Sequence, residues 1–566
     1  MAGTFPPTPA TLDSGRLLLA IVEGVSRIMR RAGIRKFHYY LHLPILIIIT
    51  MSAIFYFNFT AEDAYITYRY AENWVNIGSL VYNESEPINA MTSPLHAIFS
   101  AALFYATGHT IIANKIIALL LLFFSALLVW YRFRNHPQLQ LLALVLMLMP
   151  PSVLLWTFGG LETPVLLFLA TFTVFLTDRS HKFSLNLLYG VFFLAGLGFL
   201  TRYDSILFFL PIMVHVAAKV RSIKHVVIAL VEASILPIAW FAVSILYYGD
   251  LLPTSFYVKT PTGNLGDLVF NGIYIASYLF YVGIIPVLAL ASVLLWSKPK
   301  AFHLLYGHFK SMGWLYLGVL LELFYGLTMA TQHMMFSFRF FIPYLPSTVI
   351  IIVDLIRLVF ETDERDLSSG RPVTLLTTFL LCLSLFQFYQ IVYTYNKSVN
   401  GISSIGEYRS LGVHDYIKFL QTLRQEALDI ERHWDNIKGD KNRRPRIITF
   451  AAGMLPYTFK DSYIYEKLVS YRHCHQRYNQ ARFADYIHIL VPRHGQVDKQ
   501  LPRSEDNYSL VSSYEMVFDG SKQKFLVYYN PKPETHNLSL RIYEHCQQSR
   551  QVVTSSGYFP LFHSRK

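Results

Sequence analysis

The sequence predicts an all-α polytopic membrane protein with about 11 transmembrane helices followed by a C-terminal α/β domain. Three observations carry that expectation. Of 566 residues, 53% are hydrophobic and only 15% charged, whereas soluble chains carry about a quarter charged residues to solvate their surface. Apolar runs long enough to cross about 30 Å of hydrocarbon, at about 1.5 Å per residue, recur along the first 394 residues. Lys and Arg fall mainly in alternate connections between those runs, as an orientation signal would.

The first 40 residues are polar and basic (Arg27, Arg30, Arg31, Arg35, Lys36) and are expected to form a cytoplasmic segment. The first apolar run covers 41–59. The leading segment is long and carries no convincing small-x-small site, so this run is expected to stay in the membrane rather than be cleaved. Ten further runs cover 110–131, 138–157, 163–177, 184–201, 204–218, 225–247, 273–296, 313–331, 340–358 and 373–394. The segment from Pro94 to Ala106 is left out of the spans. It is short, contains His96 and is bounded by Pro94 and Gly108, and it is expected to lie at the interface within a first outer loop, 59–109.

Charge fixes the expected orientation. With 94–106 outside the count of spans, 19 Lys and Arg fall on one side and five on the other. The first set is the N-terminus together with Arg132, Arg134, Arg179, Lys182, Lys219, Arg221, Lys224, Lys298, Lys300, Lys310, Arg357, Arg365 and Arg371. The second is Arg69, Lys115, Arg202, Lys259 and Arg339. The positive-inside rule then places the N-terminus in the cytoplasm and the tail, 395–566, outside a multi-pass inner (cell) membrane. Strand-like runs at Arg446–Phe450 and Tyr486–Val491 suggest a small α/β domain in that tail. Cys474 and Cys546 share the tail and either pair or remain separate thiols. The net charge of +13 sits in short inter-span segments, which excludes nucleic acid as partner. No phosphate-cradling Gly loop of the Walker type and no dinucleotide fingerprint occurs.

Five polar clusters converge on the expected outer face: Thr60–Tyr65 with adjacent Glu62 and Asp63, Gly159–Thr163 with Glu162, Thr201–Asp204 with Arg202, Gly249 to Lys259 with Asp250, and Arg339. Partial burial of two adjacent carboxylates raises the pKa of at least one, which suits a general base near neutral pH. Each cluster alone has a plainer reading, as a helix cap, a snorkelling Arg or a solvated loop charge. Their arrival on one side of a charge-poor chain favours a site.

The run Glu62-Asp63-Ala64-Tyr65-Ile66-Thr67-Tyr68-Arg69-Tyr70, then Val81-Tyr82-Asn83 and Thr92-Ser93-Pro94-Leu95, resembles the first outer loop of the GT-C glycosyltransferases. It is most similar to the branch holding the terminal arabinofuranosyltransferase of the mycobacterial cell envelope. Gly160-Leu161-Glu162-Thr163, Arg202-Tyr203-Asp204, the run Tyr248 to Lys259 and Arg339-Phe340 with Pro343 resemble later motifs of that branch in the same order, over about residues 60–346. Gly453-Met454-Leu455-Pro456-Tyr457 in the tail is a weaker match. Glu62 stands where the branch has a first Asp, and Tyr203 where it has Pro.

The resemblance implies a GT-C-like fold and an enzyme that transfers a sugar from polyprenyl phosphate to an envelope glycan or glycolipid acceptor, in contact with membrane lipid. Asp63 or Glu62 would be the catalytic base, a choice left open. Arg202, Lys259 and Arg339 would meet the departing phosphate. Glu162 and Asp204 would bind sugar hydroxyls or hold those cations, and Arg69, Asp250 and Tyr257 complete the substrate-binding set. No cofactor follows. A divalent cation in part of the cationic role is left open, and no ligand spacing demands one. Two rivals are a transporter or flippase of lipid-linked glycans, favoured by mid-span Glu322, and a polymerase or ligase working on similar substrates.

Overall fold

A computed structural model describes residues 49–51, 53–84, 86–179, 183–258, 265–296, 301–328, 336–361, 370–396, 412–437, 444–449, 451–465, 485–491, 509–518 and 521–529. The protein is a multi-pass membrane bundle joined to a small α/β domain. Every described run expected to span is helical. Among the described residues, four helices are long and apolar enough to cross a membrane: Thr110–Arg132, Tyr203–Val220, Ile223–Tyr248 and Leu305–Thr328. Two bent pairs raise that number to six.

The expected count of about 11 is reached only by including shorter helices, and the reason is physical. Thr163–Arg179, Leu185–Thr201 and Leu345–Glu361 each stop at 17 residues, about 25 Å at 1.5 Å per residue. Two of them stop where the chain leaves helical geometry to present a charged side chain. Arg202 at the end of Leu185–Thr201 has φ −156° and ψ 126°, and Glu162 directly precedes Thr163–Arg179. The run 138–157 is broken by Pro150 and Pro151 into Pro137–Leu148 and Pro151–Phe158, bent by 56°, since proline removes an N–H and clashes with the preceding turn. The run 273–296 bends by 73° at Gly283, whose φ of 94° only glycine adopts freely.

Pro94–Thr107 is a 14-residue helix with Pro at its first turn. At about 21 Å it is too short to span hydrocarbon. It packs on Glu62–Ile77 and on Thr110–Arg132.

The tail holds a five-stranded sheet in the order β2-β1-β3-β5-β4, with β1 Arg446–Ile448, β2 Tyr463–Tyr465, β3 Tyr486–Val491, β4 Ser509–Phe518 and β5 Ser521–Tyr529. β1 pairs parallel with β2 and β3, and β5 pairs antiparallel with β3 and β4. The amphipathic helix Val413–Asn436 buries Leu420, Leu423, Ala427 and Ile430, at the spacing that makes one apolar stripe. The N-terminal 40 residues, Lys259, Cys474 and Cys546 lie outside the described residues.

The tail docks on the segment 59–109 through named bonds. Asn83 donates to the Ile464 carbonyl at 2.9 Å and accepts from its N–H at 3.1 Å, in effect extending the ladder at β2. The Tyr82 hydroxyl donates to the Ala452 carbonyl.

Candidate functional site

Asp63 stands in the first turn of the helix Glu62–Ile77. The start of that helix is pinned from below, the Ala61 N–H donating to the Gly159 carbonyl at 2.9 Å. The next residue, Gly160, has φ 75° and lies so close that an added Cβ would stand 2.4 Å from the Tyr68 hydroxyl and 3.2 Å from Ala64 Cβ. The buried His96 donates from Nε2 to the Gly160 carbonyl at 3.1 Å. Gly160→Ala is therefore expected to be destabilising on two grounds, contact and a left-handed backbone that costs a side-chain-bearing residue roughly 1–2 kcal/mol. Thermal unfolding in detergent checks this.

From that turn Glu162 points into the bundle at 2% exposure. Arg339 Nη2 donates to both its oxygens, at 2.8 and 3.1 Å, and Arg202 Nη1 approaches at 3.4 Å. Arg202 is also held by Asp204 through Nε at 3.1 Å and Nη2 at 2.7 Å, and lies over the Phe340 ring at 4.0 Å. Arg339 Nη1 stands 4.0 Å from Asp63. The series Asp63, Arg339, Glu162, Arg202, Asp204 is thus one chain of opposite charges, drawn from segments that the sequence separates by up to 276 residues. Burial alone would raise the Glu162 pKa. The Arg339 and then the Arg202 guanidinium outweigh it and hold the carboxyl at about 2.

Arg339 is delivered by a strained turn. Ser337 (φ 49°) and Phe338 (φ 61°) are left-handed non-glycine residues, a conformation that persists only where the surroundings over-determine it. Here the Trp156 indole donates to the Ser337 carbonyl at 2.9 Å and the Ser152 and Ser337 hydroxyls meet at 3.1 Å. Arg339 also faces the Trp156 ring at 5.5 Å.

The adjacent carboxylates 62 and 63 have different surroundings. Glu62 Oε1 accepts the N–H groups of Gly453 and Met454, the second at 3.3 Å, and the Glu62 N–H donates to the Tyr416 hydroxyl at 2.8 Å. The Asp63 side chain is 38% exposed and faces Arg339. Arg69 is buried and spends its guanidinium on four backbone carbonyls, those of Tyr82, Pro456, Lys460 and Ser462. Asp250 is nearly buried on a loop that meets the segment 59–109, through Tyr248 hydroxyl to Leu80 carbonyl at 2.8 Å and Thr254 N–H to Asn89 carbonyl at 2.8 Å. Tyr257 lies on the short helix Thr254–Val258. Glu322 is buried in the helix Ala301–Thr328, which packs on the turn Tyr203–Ser205 that carries Asp204. No group of three or more His, Cys, Asp or Glu that could hold a metal ion occurs among the described residues.

Tyr416, Trp156 and Ser337 stand in no motif that the sequence offered, and their roles come from contacts across 354, 181 and 185 positions. A second ion network, Arg132 with Asp178 at 2.9 Å and Asp354 at 2.7 Å, closes the other ends of Thr110–Arg132 and Thr163–Arg179.

No protein-family model matches the chain, and no curated protein sequence matches it. Among solved structures, ArnT from Cupriavidus metallidurans bound to undecaprenyl phosphate aligns with a TM-score of 0.54 at 9% identity, over 88% of this chain and 98% of that one. The apo structure of the same protein aligns with a TM-score of 0.52 at 8% identity over the same shares. The chain therefore has a membrane fold similar to that of ArnT.

Proposed function

We propose that the protein transfers a sugar from a polyprenyl-phosphate donor to a cell-envelope glycan or glycolipid on the outer face of the membrane. The observation that carries this reading is a half-exposed carboxylate, Asp63, set 4.0 Å from a guanidinium that a buried carboxylate holds in place. A general base needs an oxygen open to substrate. Asp63 has that exposure, while Glu62 is engaged by the tail. Support comes also from the fold of ArnT, whose structure holds undecaprenyl phosphate.

In the reaction, the acceptor hydroxyl gives its proton to Asp63 as its oxygen bonds to the anomeric carbon. The bond from that carbon to the phosphate oxygen breaks, and its electron pair leaves with the lipid phosphate. Positive charge at Arg339, with Arg202 behind it and Lys259 beyond the described residues, meets the charge that develops there. Glu162 and Asp204 hold the two guanidiniums so that they need not reorganise. Attack by the acceptor oxygen in one displacement would invert the anomeric carbon, whereas a covalent intermediate on a carboxylate would retain it. A divalent cation in part of the cationic role would supply similar charge, and loss of activity with chelator distinguishes it from the guanidiniums. The finer placement, in the arabinofuranosyltransferase-like branch, rests on the order of the motifs between residues 60 and 346.

Two experiments test this reading. Reporters fused after residue 135 or 222 are expected to report cytoplasm and a fusion after 398 the outside, from the 19-to-5 division of basic residues. An outside position for residue 222 with a cytoplasmic tail contradicts the outer-face site. Mass analysis of envelope glycans with and without the protein is expected to reveal one missing sugar. Loss of whole glycan units with accumulation of complete lipid-linked precursor would favour the transporter, with Glu322→Gln as its damaging change.

A further inference from the structure

One stripe of the helix that carries Asp63 is given over to the tail. Glu62, Tyr65, Arg69 and Glu72 recur at intervals of three, four and three, which places them on a single helical face. Each meets the segment 453–462. Glu62 takes the N–H groups of Gly453 and Met454. Tyr65 packs on the Tyr457 ring with centroids 5.1 Å apart. Arg69 reaches the carbonyls of Pro456, Lys460 and Ser462. Glu72 accepts from the Tyr457 hydroxyl at 2.5 Å and pairs with Lys460. The glycine at 453 is required by this approach, because an added Cβ would fall 2.0 Å from the Glu62 backbone oxygen. The contact lies between a side chain at the start of a membrane bundle and a segment 391 positions away.

We infer that the tail segment 453–462 is a positioning element for the proposed transfer, with Gly453 and Glu62 as positioning residues that fix the rotation and height of the helix presenting Asp63 to Arg339. Asp63 follows Glu62 directly, so a rotation or shift of the first turn that breaks the Gly453 contact moves Asp63 relative to a guanidinium held by Glu162 on other elements. Displacement of a reacting group by about 1 Å costs about 100-fold in rate. Glu62 acts here through hydrogen-bond acceptance instead of proton transfer. This inference rests on Asp63 as the base.

The test uses the full-length protein in nanodiscs with a polyprenyl-phosphate sugar donor. Gly453→Ala is expected to lower kcat about 100-fold with donor KM changed less than threefold. Glu62→Ala should show the same division without introducing a clash, which covers the case in which Gly453→Ala disturbs the tail fold. Glu62→Gln, whose amide oxygen still accepts from both N–H groups, should recover turnover to within about tenfold of wild type, and hydrogen exchange over residues 62–72 should rise in the alanine variants and not in Glu62→Gln. Full turnover in both alanine variants overturns the inference, as does loss in Glu62→Gln equal to that in Glu62→Ala. Activity surviving in Asp63→Asn instead overturns the transferase site itself, so the two failures are separable.

Discussion

Asp63→Asn is expected to leave the protein inserted and folded and to cut sugar transfer by about 100- to 10,000-fold, the usual cost of losing a general base. Asn keeps the size and hydrogen-bonding reach of Asp but takes no proton from an acceptor hydroxyl. The side chain makes no deep burial contact, being 38% exposed, so little stability should go with it. Rates measured on purified protein, beside unfolding temperature, separate the two effects. A variant that unfolds earlier and is inactive for that reason would speak for a structural Asp63, whereas an inactive variant with wild-type unfolding speaks for the base.

The second large effect is expected at Glu162. Glu162→Gln removes the negative charge between two guanidiniums whose side chains are each 11% exposed. Asp204 still offsets Arg202, so Arg339, left with Asp63 at 4.0 Å, carries most of the roughly 3–5 kcal/mol that removing one partner of a buried pair costs. Stability and activity should therefore fall together, in contrast to Asp63→Asn. The pH dependence has a definite sign. The folded carboxyl titrates near 2, below its ordinary value of 4.5, so its contribution is fully present above pH 4.5 and is lost as the pH falls from 4.5 towards 2. Unfolding of wild type should steepen in that window relative to Glu162→Gln, and Glu162 should contribute no slope between pH 5 and 9. A Gln variant as stable as wild type would contradict the burial and pairing of this group.

The membrane bundle was legible because apolar runs announce themselves locally, at about 1.5 Å of rise per residue. Their count was less so. Helices such as Leu185–Thr201 stop at 17 residues because the chain must turn out to present Arg202, and a hydropathy window does not register why a helix ends. The charged clusters around Asp63, Glu162, Arg202 and Arg339 stood out as charges in a charge-poor chain, and folding joins them in one series of ion pairs. What the sequence left open was the division of labour within Glu62 and Asp63. That depends on Gly453 and Tyr416, more than 350 positions away, and no local pattern encodes such a contact. Arg69 reads in sequence like its neighbours in a loop of charges. Its guanidinium is spent on carbonyls of the tail and of Tyr82, a fate that periodicity alone does not distinguish from ligand binding.

The account turns on whether this network transfers a sugar from lipid phosphate. The most direct measurement incubates the purified, reconstituted protein with a labelled polyprenyl-phosphate sugar and an envelope glycolipid fraction, and quantifies both products. The expected result is free polyprenyl phosphate and labelled acceptor in equal amounts from wild type, and neither from Asp63→Asn. Translocation of intact donor with no free polyprenyl phosphate, unaffected by Asp63→Asn, would contradict it.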